Sequence, residues 1–132
     1  MATITKEVRS PRSAAEVWAL LRDFSAIHEL AKGFVTKTEM EPSGARLVTF
    51  ANGAQVREWP VSADDDAMRL VYAIRDNPAY THYSAAAQVV REGEGCRFVW
   101  TVDFLPDAMA AAQNGAMEAG IRAIGQVLGA AR

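Results

Sequence analysis

The chain has 132 residues, of which 50% are hydrophobic and 23% are charged, and its formal net charge at pH 7 is -2. This length predicts one domain, residues 1–132, that is large enough to bury a core. The acidic balance argues against a nucleic-acid partner. The sequence has no apolar run of the ~20 residues that span a membrane, and it lacks the pattern of a signal peptide. We therefore expect a cytoplasmic protein.

The first 33 residues predict a strand and two short helices. Thr3–Arg9 alternates between apolar and polar residues, which is typical of a strand. Ser13 followed by Glu16 has the pattern of a capping box and predicts the start of the first helix. A second short helix is expected to end near Leu30, before Lys32-Gly33.

From Phe34 onward the apolar residues recur with a period of two, which predicts six further strands. These are Phe34–Met40, Arg46–Ala51, Ala54–Ala63, Met68–Arg75, Thr81–Arg91 and Arg97–Leu105. Asn52-Gly53 between two of them predicts a tight type I′ hairpin, whose turn needs positive φ. Such short connections favour antiparallel pairing of consecutive strands, so we expect a meander that the first strand joins at an edge.

The last segment, from Asp107 to about Ala130, predicts one long amphipathic helix. A single helix cannot cover so many strands like a lid and must lie across a curved sheet, which leaves a cavity. Four glycines within this helix, among them Gly115 and Gly120, indicate either close packing on the sheet or a kinked, mobile helix. The expected fold is α+β: a curved antiparallel sheet of about seven strands, with two short helices and a long C-terminal helix that together enclose a cavity.

The order of the elements and several short motifs resemble the START-like helix-grip superfamily, also called SRPBCC, and in particular its polyketide cyclase/dehydrase-like branch. The motifs are Ser10-Pro11, Glu16–Phe24, Val56-Arg57-Glu58 with Asp65, Arg69–Tyr72, His82-Tyr83 and Trp100. The resemblance covers nearly the whole chain and implies one ligand-binding domain. It extends to the plant abscisic-acid receptors, but their gate and latch sequences are missing, so phosphatase binding is not implied. Lipid carriers, receptors and enzymes share the fold, which therefore does not determine the function.

Glu58 is the first candidate for a functional side chain, as a ligand contact or as a catalytic group. It lies in mid-strand between Val56 and Pro60, and if this parity faces the concave side, its carboxylate points into an apolar cavity. Burial there would make it a proton acceptor or a polar anchor. The resemblance to the plant receptors also implies a pocket position. The alternatives are a carboxylate that faces solvent or pairs with a nearby arginine.

Two tyrosines are expected to line the cavity. Tyr72 shares its parity with Leu70, and Tyr83 shares its parity with Ala85, whose small side chain leaves room for a ligand. The resemblance implies the same placement for both tyrosines. Ordinary core packing is the alternative, since buried tyrosines are common where the hydroxyl finds a partner.

The last strand and the last helix offer three more candidates. The even-numbered residues of Phe98–Phe104 are the more apolar set, but the resemblance implies that Val99 and the odd-numbered residues face the cavity. Many relatives carry an acid at the position of Val99, so its absence predicts a more apolar cavity. Met117 and Ile121 match cavity-lining positions by their spacing from Pro106, and a methionine there adapts to varied apolar ligands. Ordinary core packing is the alternative for both.

The sequence predicts neither a metal site nor a cofactor. The single Cys96 excludes an internal disulfide and a multi-cysteine metal site, and the two histidines are far apart in the chain. Nothing resembles a phosphate-binding glycine loop, a Ser-His-Asp set or a zinc motif. We expect a monomer or a homodimer.

Three functions are compatible with these features. The first is the binding or transport of a small hydrophobic ligand, such as a lipid or a polyketide-like molecule, in the cavity. The second is an aromatase/cyclase- or dehydratase-type enzyme in which Glu58, Tyr72 or Tyr83 moves protons. The third is a protein-interaction module with an exposed apolar patch, to which Trp59 and Trp100 would contribute if they face outward. We expect the first.

Overall fold

Seven strands pair into one antiparallel sheet in the computed structural model, which describes residues 1–129. The sheet order is β1-β7-β6-β5-β4-β3-β2, so the meander and the edge position of the first strand are as expected. The strands are β1 Ala2–Ser10, β2 Val35–Met40, β3 Arg46–Phe50, β4 Gln55–Asp64, β5 Arg69–Ala73, β6 His82–Glu92 and β7 Gly95–Leu105. The α+β helix-grip architecture predicted from the sequence is thereby confirmed.

The helices lie between β1 and β2 and after β7. Helix α1 is Ala14–Arg22, α2 is the single turn Ile27–Leu30, and α3 is Ala110–Val127, preceded by a 3₁₀ turn at Asp107–Met109. Ser13 caps α1 as predicted, because its hydroxyl accepts a hydrogen bond from the backbone N–H of Glu16 at 3.2 Å. The expected end of the last helix, about Ala130, lies outside the described residues. No helix in residues 1–129 is long and apolar enough to cross a membrane.

The hairpin between β3 and β4 differs from the predicted type I′ turn. The N–H of Gly53 donates to the carbonyl of Phe50, and the N–H of Phe50 donates to the carbonyl of Ala54, each at 2.9 Å. Gly53 has a φ of 86°, whereas Asn52 is not at positive φ. This is a three-residue loop with one left-handed glycine, and it places Arg46 directly opposite Glu58.

The concave face of the sheet and the three helices bury two hydrophobic clusters. One contains Val17 and Leu21 of α1 together with Leu70, and the other contains Tyr72 and Phe104. Residues that lie directly opposite each other on neighbouring strands share a face of the sheet. Every second residue of β6 from Tyr83 to Val89 is buried, so the residues of β7 that lie directly opposite them also face inward.

Helix α3 packs tightly against the sheet at Gly120. A Cβ atom there would lie 2.9 Å from Cζ3 of Trp100 and 3.2 Å from Cε2 of Phe34, so only glycine fits without a shift of these rings. A Cβ at Gly115 would meet no atom within 4 Å. Close packing therefore accounts for Gly120 but not for Gly115.

Candidate functional site

A cavity of about 580 Å³ lies between the concave face of the sheet and α3. This volume is within the range of pockets that hold small molecules. Its lining is mainly apolar and comes from α1, α2, α3 and six of the strands. The larger apolar side chains in it are Leu21, Ile27, Phe34, Val35, Val48, Phe50, Val56, Leu70, Ile74, Phe98, Trp100 and Ile124.

The two charged residues of this lining, Arg46 and Glu58, form a buried ion pair. The Arg46 Nε donates to Glu58 Oε1 at 2.8 Å, and the two side chains are 1% and 9% exposed. The Arg46 Nη1 also donates to the carbonyl of Phe24 at 3.2 Å. Its guanidinium carbon lies 3.9 Å from the centroid of the Phe24 ring and 5.1 Å from that of Tyr72. These contacts hold Arg46 in place and leave Glu58 Oε2 without a hydrogen-bond partner in residues 1–129.

The hydroxyls of Tyr72 and Tyr83 each accept a hydrogen bond from a side-chain N–H. Trp100 Nε1 donates to the Tyr72 hydroxyl at 3.1 Å, and Gln113 Nε2 donates to the Tyr83 hydroxyl at 3.2 Å. Gln113 in turn accepts a bond from Tyr80 at 2.6 Å, which fixes its amide. The protons of Tyr72 and Tyr83 are not used in these bonds and remain available for a ligand.

Burial raises the pKa of the Tyr72 hydroxyl well above its ordinary value, and the nearby charge of Glu58 raises it further. The pKa of Tyr83 is raised for the same two reasons, again with burial as the larger. Both phenols therefore keep their protons at neutral pH and can donate them in hydrogen bonds to a ligand.

The strand register places these groups on one diagonal across the sheet. Arg46 lies opposite Glu58, Pro60 lies opposite Tyr72, and Tyr72 lies opposite Ala85. Glu58 is two residues from Pro60, and Tyr83 is two residues from Ala85, so Tyr72 has both as diagonal neighbours, at about 7–8 Å. We call Arg46, Glu58, Tyr72 and Tyr83 the polar line. Leu70 on β5 and Ile74, which directly follows this strand, line the cavity on either side of it.

Three of the predicted site residues, Glu58, Tyr72 and Tyr83, lie together in the cavity wall. Glu58 combines two of the expected arrangements, because its carboxylate faces the cavity and also pairs with an arginine. Ala85 is buried in the second cluster, with 1% exposure, but does not line the cavity. Ala87, two residues along the same face of β6, lines it instead.

The predicted orientation of Val99 is wrong. Val99 lines a smaller pocket of about 210 Å³ on the outer face of the sheet, together with Thr101 and Asp103. Trp100 faces the cavity because it lies directly opposite Ala87 on β6. The apolar alternation of the strand carried the correct signal, and the expectation from the resemblance does not apply here.

Met117 and Ile121 do not line the cavity, and core packing, the alternative for both, is what the structure shows. Met117 is fully buried in the second hydrophobic cluster, and Ile121 packs against the first. Helix α3 is rotated so that Gly120 lies against the Trp100 ring. The helix residues that line the cavity are Gln113, Ala116, Ala119, Gly120 and Ile124.

Two residues of the site, Arg46 and Gln113, were not predicted. Arg46 becomes the partner of Glu58 only when the register of the hairpin is known. Gln113 precedes Met117 by four residues, so it lies on the apolar side of α3, and a glutamine in such a stripe was an available signal. Within residues 1–129, no group of three or more His, Cys, Asp or Glu side chains could hold a metal ion.

A protein-family model described as polyketide cyclase/dehydrase and lipid transport matches residues 1–129. No curated protein matches the chain significantly. Among solved structures, the protein XoxI from Bacillus cereus is 21% identical, with a TM-score of 0.85 and coverage of 97% of this chain and 96% of that chain. A protein from Thermobifida fusca is 28% identical, with a TM-score of 0.76 and coverage of 96% and 95%.

Norcoclaurine synthase from Thalictrum flavum, solved in complex with dopamine and hydroxybenzaldehyde, is 18% identical to this chain. Its TM-score is 0.73, and the match covers 96% of this chain and 85% of the synthase. At this identity the likeness shows the shared fold.

Proposed function

The chain belongs to the polyketide cyclase/dehydrase and lipid transport family, and we propose that it binds a small hydrophobic ligand in the cavity beneath α3. The observation that carries this proposal is the cavity itself, about 580 Å³ with a mostly apolar lining. A few polar groups, the polar line among them, stand within this apolar wall. Such sites take up apolar molecules and orient them through a few hydrogen bonds.

The second candidate function is an enzyme of the aromatase/cyclase or dehydratase type that uses the same cavity. Glu58 and Tyr72 are neighbours on the polar line, and norcoclaurine synthase, a structural neighbour, is an enzyme. General acid-base catalysis is most efficient when the pKa of the catalytic group lies near the working pH. Burial moves the pKa of both tyrosines away from that range, which favours binding over proton transfer.

The third candidate, a protein-interaction module, receives less support from the two tryptophans. Trp100 lines the cavity and does not face outward. Trp59 follows Glu58 on β4 and so lies on the outer face, where the guanidinium carbon of Arg75 lies 4.9 Å from the centroid of its ring and partly covers it. A ligand in the cavity therefore accounts for more of the structure than a protein on its surface.

A thermal-shift screen of the purified protein tests the proposal. The panel contains fatty acids, sterols, flavonoids, aromatic polyketides and isoprenoids. A ligand present at 100 times its Kd adds about 2.7 kcal/mol of stability, which gives a clear rise in Tm.

The matched variants are Ala87→Phe, which fills the cavity, and Ala86→Phe, the same change on the outer face of β6. We expect binding to be lost in the first variant and kept in the second. Equal binding by both, or no stabilisation by any member of the panel, would contradict the proposal.

A further inference from the structure

The charges in the cavity wall compensate each other, and we infer that the ligand is an uncharged apolar molecule with a hydroxyl group, and not a carboxylate such as a fatty acid. This inference rests on the proposed function, since it names the chemical class of ligand for the same cavity. It follows from the partners and the free atoms of the polar line.

A carboxylate ligand would find no free cation among the described residues that line the cavity. Arg46 and Glu58 are the charged members of that lining, and they are paired at 2.8 Å. An anionic ligand would add a second negative charge beside Glu58 and leave it uncompensated. Burying an unpaired charge is strongly unfavourable, so a carboxylate would lose affinity compared with a neutral molecule of the same shape.

Arg46 cannot turn away from Glu58 to meet such an anion. Its Nε bonds to Glu58, its Nη1 bonds to the carbonyl of Phe24, and its plane lies over the Phe24 ring. With its side chain 1% exposed, a new rotamer would require the surrounding core to move. The positive charge therefore stays committed to the ion pair.

A hydroxyl group matches two of the groups that the polar line leaves unused, in addition to the Nη2 donors of Arg46, for which the described residues offer no acceptor. Glu58 Oε2 is a charged acceptor without a partner in residues 1–129, and the Tyr72 hydroxyl has a proton to donate because Trp100 already donates to its oxygen. One hydroxyl can donate to the first and accept from the second at the same time. The bond to the carboxylate is charge-assisted and is stronger than a bond between neutral groups. Tyr83, next on the diagonal, offers a second donor for another ligand oxygen.

Three ligands that share one rigid apolar skeleton separate the alternatives: 2-naphthol, naphthalene and 2-naphthoate. At pH 7 the first is neutral with a hydroxyl, the second has no polar group and the third is an anion. Calorimetric titration of the wild-type protein should show 2-naphthol binding at least tenfold more tightly than either of the others. Because the three molecules share one skeleton, the ratio of their affinities reports the effect of the polar groups alone.

Two variants assign the selectivity to named atoms. Glu58→Gln leaves the charge of Arg46 uncompensated, so the ratio of 2-naphthoate affinity to 2-naphthol affinity should rise at least tenfold. Because breaking a buried pair can unfold a protein, Tyr72→Phe is the second variant. It keeps the ion pair and should weaken 2-naphthol about tenfold while leaving naphthalene unchanged.

The outcomes separate the inference from the function on which it rests. Binding of 2-naphthoate by the wild type as tightly as 2-naphthol would overturn the inference and leave a ligand-binding cavity. Equal binding of all three molecules would do the same. Binding of none of them, together with a failed ligand panel, would remove the proposed function and the inference with it.

Discussion

Removing one partner of the Arg46–Glu58 pair should destabilise the fold severely. The two side chains are 1% and 9% exposed, so water screens the charges little. The variant Arg46→Met leaves the Glu58 carboxylate buried without a cation, and losses of about 3–5 kcal/mol are typical when one partner of a buried pair is removed. Since domains have a free energy of unfolding of about 5–15 kcal/mol, this is a large part of the total.

A double-mutant cycle isolates the interaction between the two charges. The double variant Arg46→Met with Glu58→Gln leaves no buried charge, so it should lose less stability than the sum of the two single variants. Contacting residues show coupling energies of about 0.5–3 kcal/mol. Urea unfolding at pH 7 measures the free energy of unfolding of all four proteins.

The variant Arg57→Met is the matched control, because Arg57 precedes Glu58 on β4 and pairs with Glu41 at the surface. Exposed pairs contribute little, so this variant should unfold close to the wild type. Additive losses in the cycle would mean that the two charges do not interact. A loss for Arg46→Met no larger than that for the control would mean that the pair is solvated. Either result would refute the reasoning about a charge-compensated cavity.

Gly120→Ala should lower the free energy of unfolding by about 1–3 kcal/mol, because its Cβ would meet the Trp100 ring at 2.9 Å. Gly115→Ala should raise the free energy of unfolding by up to ~1 kcal/mol, because its Cβ meets no other atom and alanine has the higher helix propensity. Equal effects in urea unfolding would contradict this packing. The pKa of Tyr83 is raised in the folded state, so protonated Tyr83 contributes to the free energy of unfolding. This contribution is complete below the pKa of ~10 that a tyrosine has in the unfolded chain, and it is lost as the pH rises above that value. Between pH 8 and 11 the free energy of unfolding should therefore fall less in Tyr83→Phe than in the wild type. An equal fall in both proteins would mean that ionisation of Tyr83 does not cause the alkaline loss of stability.

The alternation of apolar residues was sufficient to predict the strands of the sheet. Each predicted strand overlaps an observed one, because a half-buried strand must place an apolar side chain on the inner face at every second position. The same rule predicted Tyr72 and Tyr83 in the cavity wall, where both lie. It also favoured Trp100 over Val99 on β7, and there the resemblance led to the wrong face.

The contacts that α3 makes could not be predicted from its sequence. Its apolar stripe is broad, and several rotations of the helix about its axis would bury it. The rotation depends on contacts between distant parts of the chain, such as that of Gly120 with Trp100 and the ion pair of Glu118 with Lys6. In this orientation Gln113 lies in the cavity wall and Met117 in the core beside it.

The chemistry of the cavity depends on the turn between β3 and β4. A two-residue loop at Asn52-Gly53 would place Leu47 opposite Glu58 and turn Arg46 to the other face of the sheet, because a shift of one residue exchanges the faces. The observed loop has its single left-handed residue at Gly53, with a φ of 86°, and pairs Arg46 with Glu58. The turn therefore determines whether the carboxylate in the cavity is compensated, and with it the charge of the ligand that the cavity accepts.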